Sequence, residues 1–476
     1  MNHPAKFDSS ACPGFSATRM LRRSALQIGT LGAFSLGTTS LLNARKLAAA
    51  SNTVIPAAQG PGFGQAKAVI LLFMWGGPSH IDTWDLKPKA PTEVRGEFNP
   101  IETSVPGIEI SEHFPLLARR ADRYAIVRSV THDDPAHLSS VHVFTTGHPA
   151  PTPKSDSVPP SRRDQPHLGS VLTHLRPPTG LIPGFVTLPW LVSHPAAPGG
   201  MAVGQHAGWM GQALDPFVIT GDPNDPSFRV SGLDLIPGVS RDRITHRRRL
   251  LDRMHSAAVN AGEFDGMQSR ALDMLTNDSV QRAFAIADEP AALREKYGRH
   301  IHGQSLLLSR RLVEAGVPLV CVNWHQDHAN FWDTHGSNFV RLKSQLMPPA
   351  DRGFSALLDD LSERGLLDST LVLWVGEFGR NPKINGSDAG RDHWPWCSSA
   401  VFAGGGIQGG QVFGRSDSIG GRPAENPVSP ADLHATLCHA LGIPPDTVLH
   451  DREQRPHGLT TGNPLTSLFQ EKSSVA

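Results

Sequence analysis

Cysteine is scarce in this chain, and the four present, Cys12, Cys321, Cys397 and Cys438, form no Cys-x-x-Cys pair, so neither a disulfide framework nor a cysteine zinc site is signalled. A single Cys321–Cys397 or Cys397–Cys438 bridge stays open at this level. Excess positive charge is also missing. Lys+Arg and Asp+Glu each number 44, but six of the basic residues and one acidic residue fall in the first fifty, which leaves 38 against 43 from Ser51 onward. A net charge of −5 on that portion lacks the basic stripe of a nucleic-acid partner. No low-complexity tract or internal repeat interrupts the chain, and its ordinary apolar content excludes a disordered protein. Tyrosine is nearly absent, with 2 residues, whereas histidine is abundant at 23.

No apolar run is long enough to span a bilayer. The best candidate, residues 28–42, is diluted by Thr30, Thr38 and Thr39, where a span needs about twenty apolar positions. It follows Arg22-Arg23 and precedes Arg45-Lys46 and Ala48-Ala49-Ala50, the layout of a twin-arginine export signal with a small-residue cleavage site. Residues 1–50 are therefore expected to be a signal peptide, and 51–476 a periplasmic or secreted protein with no stable membrane span after its removal.

Four apolar, β-prone runs recur between helix-like stretches, at 68–75, 124–130, 318–324 and 370–375, and a fifth strand is expected near 184–188. Helices are expected over 137–146, 241–259, 302–315, 350–364 and 430–441, with Gly316 and Gly365 closing the third and fourth. This alternation reads as an α/β fold with a mainly parallel sheet. The Pro/Gly-rich stretch within 150–300 is expected to carry insertions or a subdomain.

Each of the four runs is followed at once by a polar cluster: Ser79-His80-Ile81-Asp82, then His132-Asp133-Asp134-Pro135-Ala136-His137, then His325-Gln326-Asp327-His328 with Asp333-Thr334-His335, then Gly376-Glu377-Phe378-Gly379-Arg380. Gly390-Arg391-Asp392-His393 adds a fifth. Ligands of open α/β sheets sit at the carboxyl ends of strands, so these regions are expected to converge on one site. A lone loop His or Asp usually caps a turn or is solvated; the recurrence after strand ends is what points to function. Imidazole together with carboxylate suits one or two divalent transition-metal ions, Zn, Mn or Fe, better than Ca or Mg. Asp333 and His335 would supply two ligands, with Asp82, Glu377 and His393 closing the shell. His137, at a helix start where free N–H groups favour an anion, is a candidate nucleophile, general acid or ligand. Arg380 and Arg391 would orient a tetrahedral oxyanion, which a guanidinium fork matches.

The segments Gly76-Gly-Pro-Ser-His-Ile-Asp-Thr-Trp-Asp-Leu-Lys-Pro88, Trp332-Asp-Thr-His-Gly-Ser-Asn-Phe339, Gly376-Glu-Phe-Gly-Arg-Asn-Pro382 and Gly390-Arg-Asp-His-Trp-Pro395 resemble a bacterial twin-arginine-exported family known as domain of unknown function 1501. That family resembles the alkaline phosphatase and sulfatase superfamily. The resemblance implies an alkaline-phosphatase-like fold and a metal-dependent hydrolase of phosphate or sulfate esters, acting on a small-molecule or polysaccharide ester. It places Asp82 as the first metal-binding Asp, His137 at the nucleophile position, Asp333 and His335 at one metal site with Asp327 and His328 as competitors, and His393 as the last His. The superfamily's adjacent Asp-His pair falls on Glu377-Phe378. Phe378 cannot bind a metal, so a ligand is lost there unless His80 or Asp392 replaces it. His137 is neither the Ser or Thr of phosphatases nor the Cys of sulfatases, and no Cys-x-Pro-x-Arg segment follows the second strand. A non-catalytic binding protein on the same scaffold is the alternative.

Overall fold

The computed structural model describes residues 60–178, 180–194, 200–233, 239–255, 271–324 and 331–470. The expected export signal, Asp327 and His328 lie outside these. The central sheet has eight strands, numbered in chain order: β1 Ala68–Phe73, β2 Tyr124–Val130, β3 Phe185–Leu188, β4 Phe217–Val218, β5 Leu319–Asn323, β6 Thr370–Val375, β7 Ser398–Ala403 and β8 Gln411–Phe413. Their spatial order is β8-β2-β7-β6-β1-β5-β3-β4.

Every residue of β1, β5 and β6 is buried. Such unbroken apolar runs are what a strand covered on both faces requires. Alternation along β1 then splits its side chains between two cores. Ala68, Ile70 and Leu72 join one, with residues of the Ile301–Glu314 and Met347–Glu363 helices. Val69, Leu71 and Phe73 join the other, with residues of the Leu168–Leu175 and Pro430–Ala440 helices. The result is an α/β fold, a mainly parallel sheet between two helical layers. The Pro430–Ala440 helix starts on a capping box, Ser429 and Asp432 satisfying each other's backbone N–H. Gly60–Ala476 clusters as one compact unit.

Strand directions decide where the polar loops go. β1 is parallel to both β5 and β6, and β3 continues the same direction. β7 runs antiparallel to β2 and to β6. The loops leaving β1, β2, β3, β5 and β6 therefore emerge at one edge of the sheet, and the loop entering β7 reaches that same edge. The helices expected over 137–146, 302–315, 350–364 and 430–441 appear as His137–Thr146, Ile301–Glu314, Met347–Glu363 and Pro430–Ala440, and the described part of the one over 241–259 is Arg241–His255. Strands β4, β7 and β8 were not anticipated. The three cysteines among the described residues are buried free thiols, so neither bridge forms. None of the described helices is long and apolar enough to cross a membrane.

Candidate metal centre

Three side chains meet where the β5 and β7 loops face each other. His335 Nε2 lies 2.9 Å from His393 Nε2. Asp333 Oδ1 stands 3.2 Å from the first and 3.4 Å from the second. The opposite ring nitrogens are both committed. His393 Nδ1 is 2.7 Å from the carbonyl oxygen of Pro135, which can only accept, so this nitrogen carries the proton. His335 Nδ1 is 3.0 Å from Asp392 Oδ1, again an acceptor. In the neutral rings, then, two Nε2 lone pairs meet a carboxylate oxygen whose one side-chain donor is Arg380, and neither imidazole has a proton to give the other or that oxygen, an arrangement that a cation reconciles. Donor atoms sharing a tetrahedral ion at about 2.1 Å stand roughly 3.4 Å apart, so the residues present fit a divalent transition metal.

His137 forms the inner wall. Its Nδ1 is 2.6 Å from Glu377 Oε1, and its Nε2 is 3.5 Å from Asp333 Oδ2. Burial alone would lower its pKa, but hydrogen bonds and charge from Asp333 and Glu377 outweigh burial and push it up to about 9. A ring whose two nitrogens both face carboxylates is a poor nucleophile, so of the roles expected for His137, nucleophile, general acid or ligand, the geometry disfavours the first. His137, Asp333 and His393 together still satisfy the spacing of a metal-binding group. Glu377 is wholly buried; its Oε1 also accepts from the Gly76 N–H at 2.8 Å, while Oε2 has no partner among the described residues. Burial raises Asp333, yet the Arg380 charge and the hydrogen bond and charge of His137 hold it well below the usual carboxylate range. Burial lowers His393, opposed by Asp333 and reinforced by the charges of His137 and Arg380.

Three expected site residues are held in other arrangements. Asp82 and Arg391 are both fully buried and form a two-pronged bridge, Nε to Oδ2 at 2.7 Å and Nη2 to Oδ1 at 3.0 Å. Ser79 and Asn338 donate to the same carboxylate. Arg391 spends its remaining N–H groups on the carbonyls of Val94, Asn381 and Pro382. Both oxygens of Asp82 are engaged by protein donors and every N–H of the Arg391 guanidinium is spent, so the pair ties the β1 loop to the β7 loop. Arg380 likewise donates to the carbonyls of Gly76, Gly77 and Arg391 and to Asp333. It is buried under the cluster as a brace for Asp333 rather than exposed as an oxyanion clamp.

His80 is turned away to the Gly420 carbonyl at 2.8 Å. Phe378 packs its ring against His137 and His393, with centroids 4.9 and 4.5 Å apart, an apolar wall where a ligand was lost. Asp392 joins the site from behind His335 rather than as a replacement ligand. Reasoning from sequence missed His194, whose ring lies 5.4 Å from that of His137. It follows β3, so the strand-end rule would have found it. Trp75, 5.0 Å from the His137 ring, was counted as the end of a strand.

A family model described as a protein of unknown function, DUF1501, matches residues 66–469. No curated protein matches the chain. Among solved structures, the chain is similar to the sulfatase PsFucS1 from Pseudoalteromonas sp., with 14% identity over 84% of this chain and 71% of that one at a TM-score of 0.34. It is similar to an alkaline phosphatase superfamily protein from Vibrio parahaemolyticus, with 11% identity over 81% and 68% at 0.33. A phosphonate monoester hydrolase from Silicibacter pomeroyi has 11% identity over 87% and 78% at 0.27.

Proposed function

Because the chain belongs to the DUF1501 family of proteins of unknown function, its activity has to be read from its own site, and we propose an exported, metal-dependent hydrolase of phosphate or sulfate esters. The observation that carries this reading is the convergence of His335 Nε2, His393 Nε2 and Asp333 Oδ1, in which neither neutral imidazole has a proton to offer the other two atoms. Asp333, His335 and His393 would hold the ion, with His137 and the unpartnered Glu377 oxygen beside them. A bound divalent ion supplies Lewis-acid polarisation of an ester oxygen and acidifies a water molecule. Arg380 keeps Asp333 in place and ionised. His137 keeps positive charge next to the cluster, which favours an anionic ester over a neutral one. The ester class, on a small molecule or a polysaccharide, follows the resemblance of the strand-end motifs to the alkaline phosphatase and sulfatase superfamily. Export rests on the Arg22-Arg23 signal layout, which brings the folded protein to the periplasm or the medium.

A second reading, a binding protein without turnover, is favoured by one observation: Arg380 and Arg391 are both consumed internally and leave neither guanidinium for an oxyanion. The two are separated by purifying the chain from Ser51 without chelator, measuring metal by elemental mass spectrometry, and assaying aryl phosphate and aryl sulfate. A hydrolase carries a stoichiometric transition metal and turns over one of the esters, and both properties vanish in His335→Ala and His393→Ala. Metal without turnover selects the binding protein. Absence of metal, even after adding Zn or Mn, rejects the metal centre.

A further inference from the structure

His335 is nearly half exposed, with 47% of its side chain accessible, and its ring meets that of His393 at 4.5 Å between centroids, whereas His393 is also held by Phe378 and Pro135. What holds it lies behind it. Asp392 Oδ1 is 3.0 Å from His335 Nδ1, on the side of the ring away from His393. Asp392 is itself held, because Asn385 Nδ2 donates to the same Oδ1 at 3.0 Å and to the backbone carbonyl of His335 at 3.0 Å. Asn385 is fixed in turn by its backbone N–H on the Gly390 carbonyl and by the Ser387 N–H on its Oδ1. One amide thus sets both the carboxylate and the backbone of the histidine it orients.

Building on the metal reading of this site, we propose that Asp392, braced by Asn385, is a positioning residue that fixes the His335 tautomer and turns Nε2 toward His393 and Asp333. An acceptor at Nδ1 requires the proton there and therefore leaves the lone pair at Nε2. Without it, an exposed imidazole exchanges tautomers and rotates, and an ion meets a ring that must first be ordered. Partners of this kind are worth about 10–100-fold in metal affinity.

The test compares wild type, Asp392→Ala, Asp392→Asn and His335→Ala by Zn2+ competition against a chromogenic chelator, with imidazole 15N shifts recorded on the metal-free proteins. The His335 signal is assigned by its loss in His335→Ala. Asp392→Ala is expected to weaken Zn2+ binding about 10–100-fold and to move the His335 shifts toward the Nε2-protonated form. Asp392→Asn, which retains an acceptor oxygen, should restore most of both. Wild-type affinity and an unchanged tautomer in Asp392→Ala, with binding lost in His335→Ala, would overturn the positioning role and leave the metal centre standing. If wild type binds no Zn2+, the metal reading fails. The 15N shifts then decide the orienting role alone: a tautomer change in Asp392→Ala supports it, and none overturns it.

Discussion

Asp82 and Asp333 each follow a strand end and each meets a buried arginine, yet their surroundings give them different work. Four donor contacts from Arg391, Ser79 and Asn338 engage Asp82, three on Oδ2 and one on Oδ1, at no solvent exposure. Asp333 has Arg380 on one side and imidazoles on the other, and remains partly open. Ser79 beside Asp82 and His335 beside Asp333 are local, but the arginines stand far along the chain, and those contacts are made by the fold. The residue types of the cluster were legible in sequence; which carboxylate is saturated was not. The buried bridge makes a definite prediction. Arg391→Met leaves Asp82 as an uncompensated buried charge and should lower stability by about 3–5 kcal/mol in urea denaturation. Unchanged stability with only a raised KM would instead return Arg391 to the substrate.

The convergence of the loops is a property of strand direction, and here the sequence was informative up to a point. Uniformly apolar runs at β1, β5 and β6 identified central parallel strands, and the loops following them were assigned to one edge. His393 reaches that edge for a reason that periodicity does not display. β7 is antiparallel, so the loop before it, not after it, arrives at the site. Its sequence, Ser398-Ser-Ala-Val-Phe-Ala403, begins with small polar residues and has no alternation to mark it as a strand. The β1 loop adds a constraint of its own. Gly76 has φ +107°, and a Cβ there would lie 2.3 Å from the Asp333 backbone nitrogen. Its N–H also holds Glu377. Gly76→Ala must therefore push the Asp333 segment away as well as adopt a conformation costing about 1–3 kcal/mol. A drop in thermal stability together with weaker Zn2+ binding is expected, and an alanine variant with wild-type metal affinity would show that the β1 loop does not set the position of Asp333.

Across the whole molecule the excess of histidine becomes a property of the fold. Burial lowers His167 and His434 to about 3 and His142 to about 4. These imidazoles serve as neutral packing and capping groups: His167 accepts from the Gly169 N–H at the start of its helix and stacks on Phe185. Unfolded, each binds a proton near pH 6.5; folded, each resists until about 3 to 4. The unfolded chain therefore holds more protons throughout that window, and stability falls as pH drops from 6.5 toward 4. Asp351 works the other way. Burial, only partly offset by the Leu116 and Leu117 N–H groups, raises it to about 6, so the folded state gains one proton over the lower part of the same range. His137, raised to about 9, acts in the opposite sense only near and above pH 6.5, where the unfolded ring is losing its proton, and adds almost nothing near pH 5. His300, which burial also lowers to about 4, makes four protons against one, a slope of roughly 4 kcal/mol per pH unit near pH 5. Urea midpoints measured from pH 7 to 4.5 should follow it. His167→Asn keeps an acceptor for the Gly169 N–H but removes one titration, so its slope should be shallower by about 1.4 kcal/mol per unit. If the variant parallels wild type across the range, the acid sensitivity does not come from this buried imidazole.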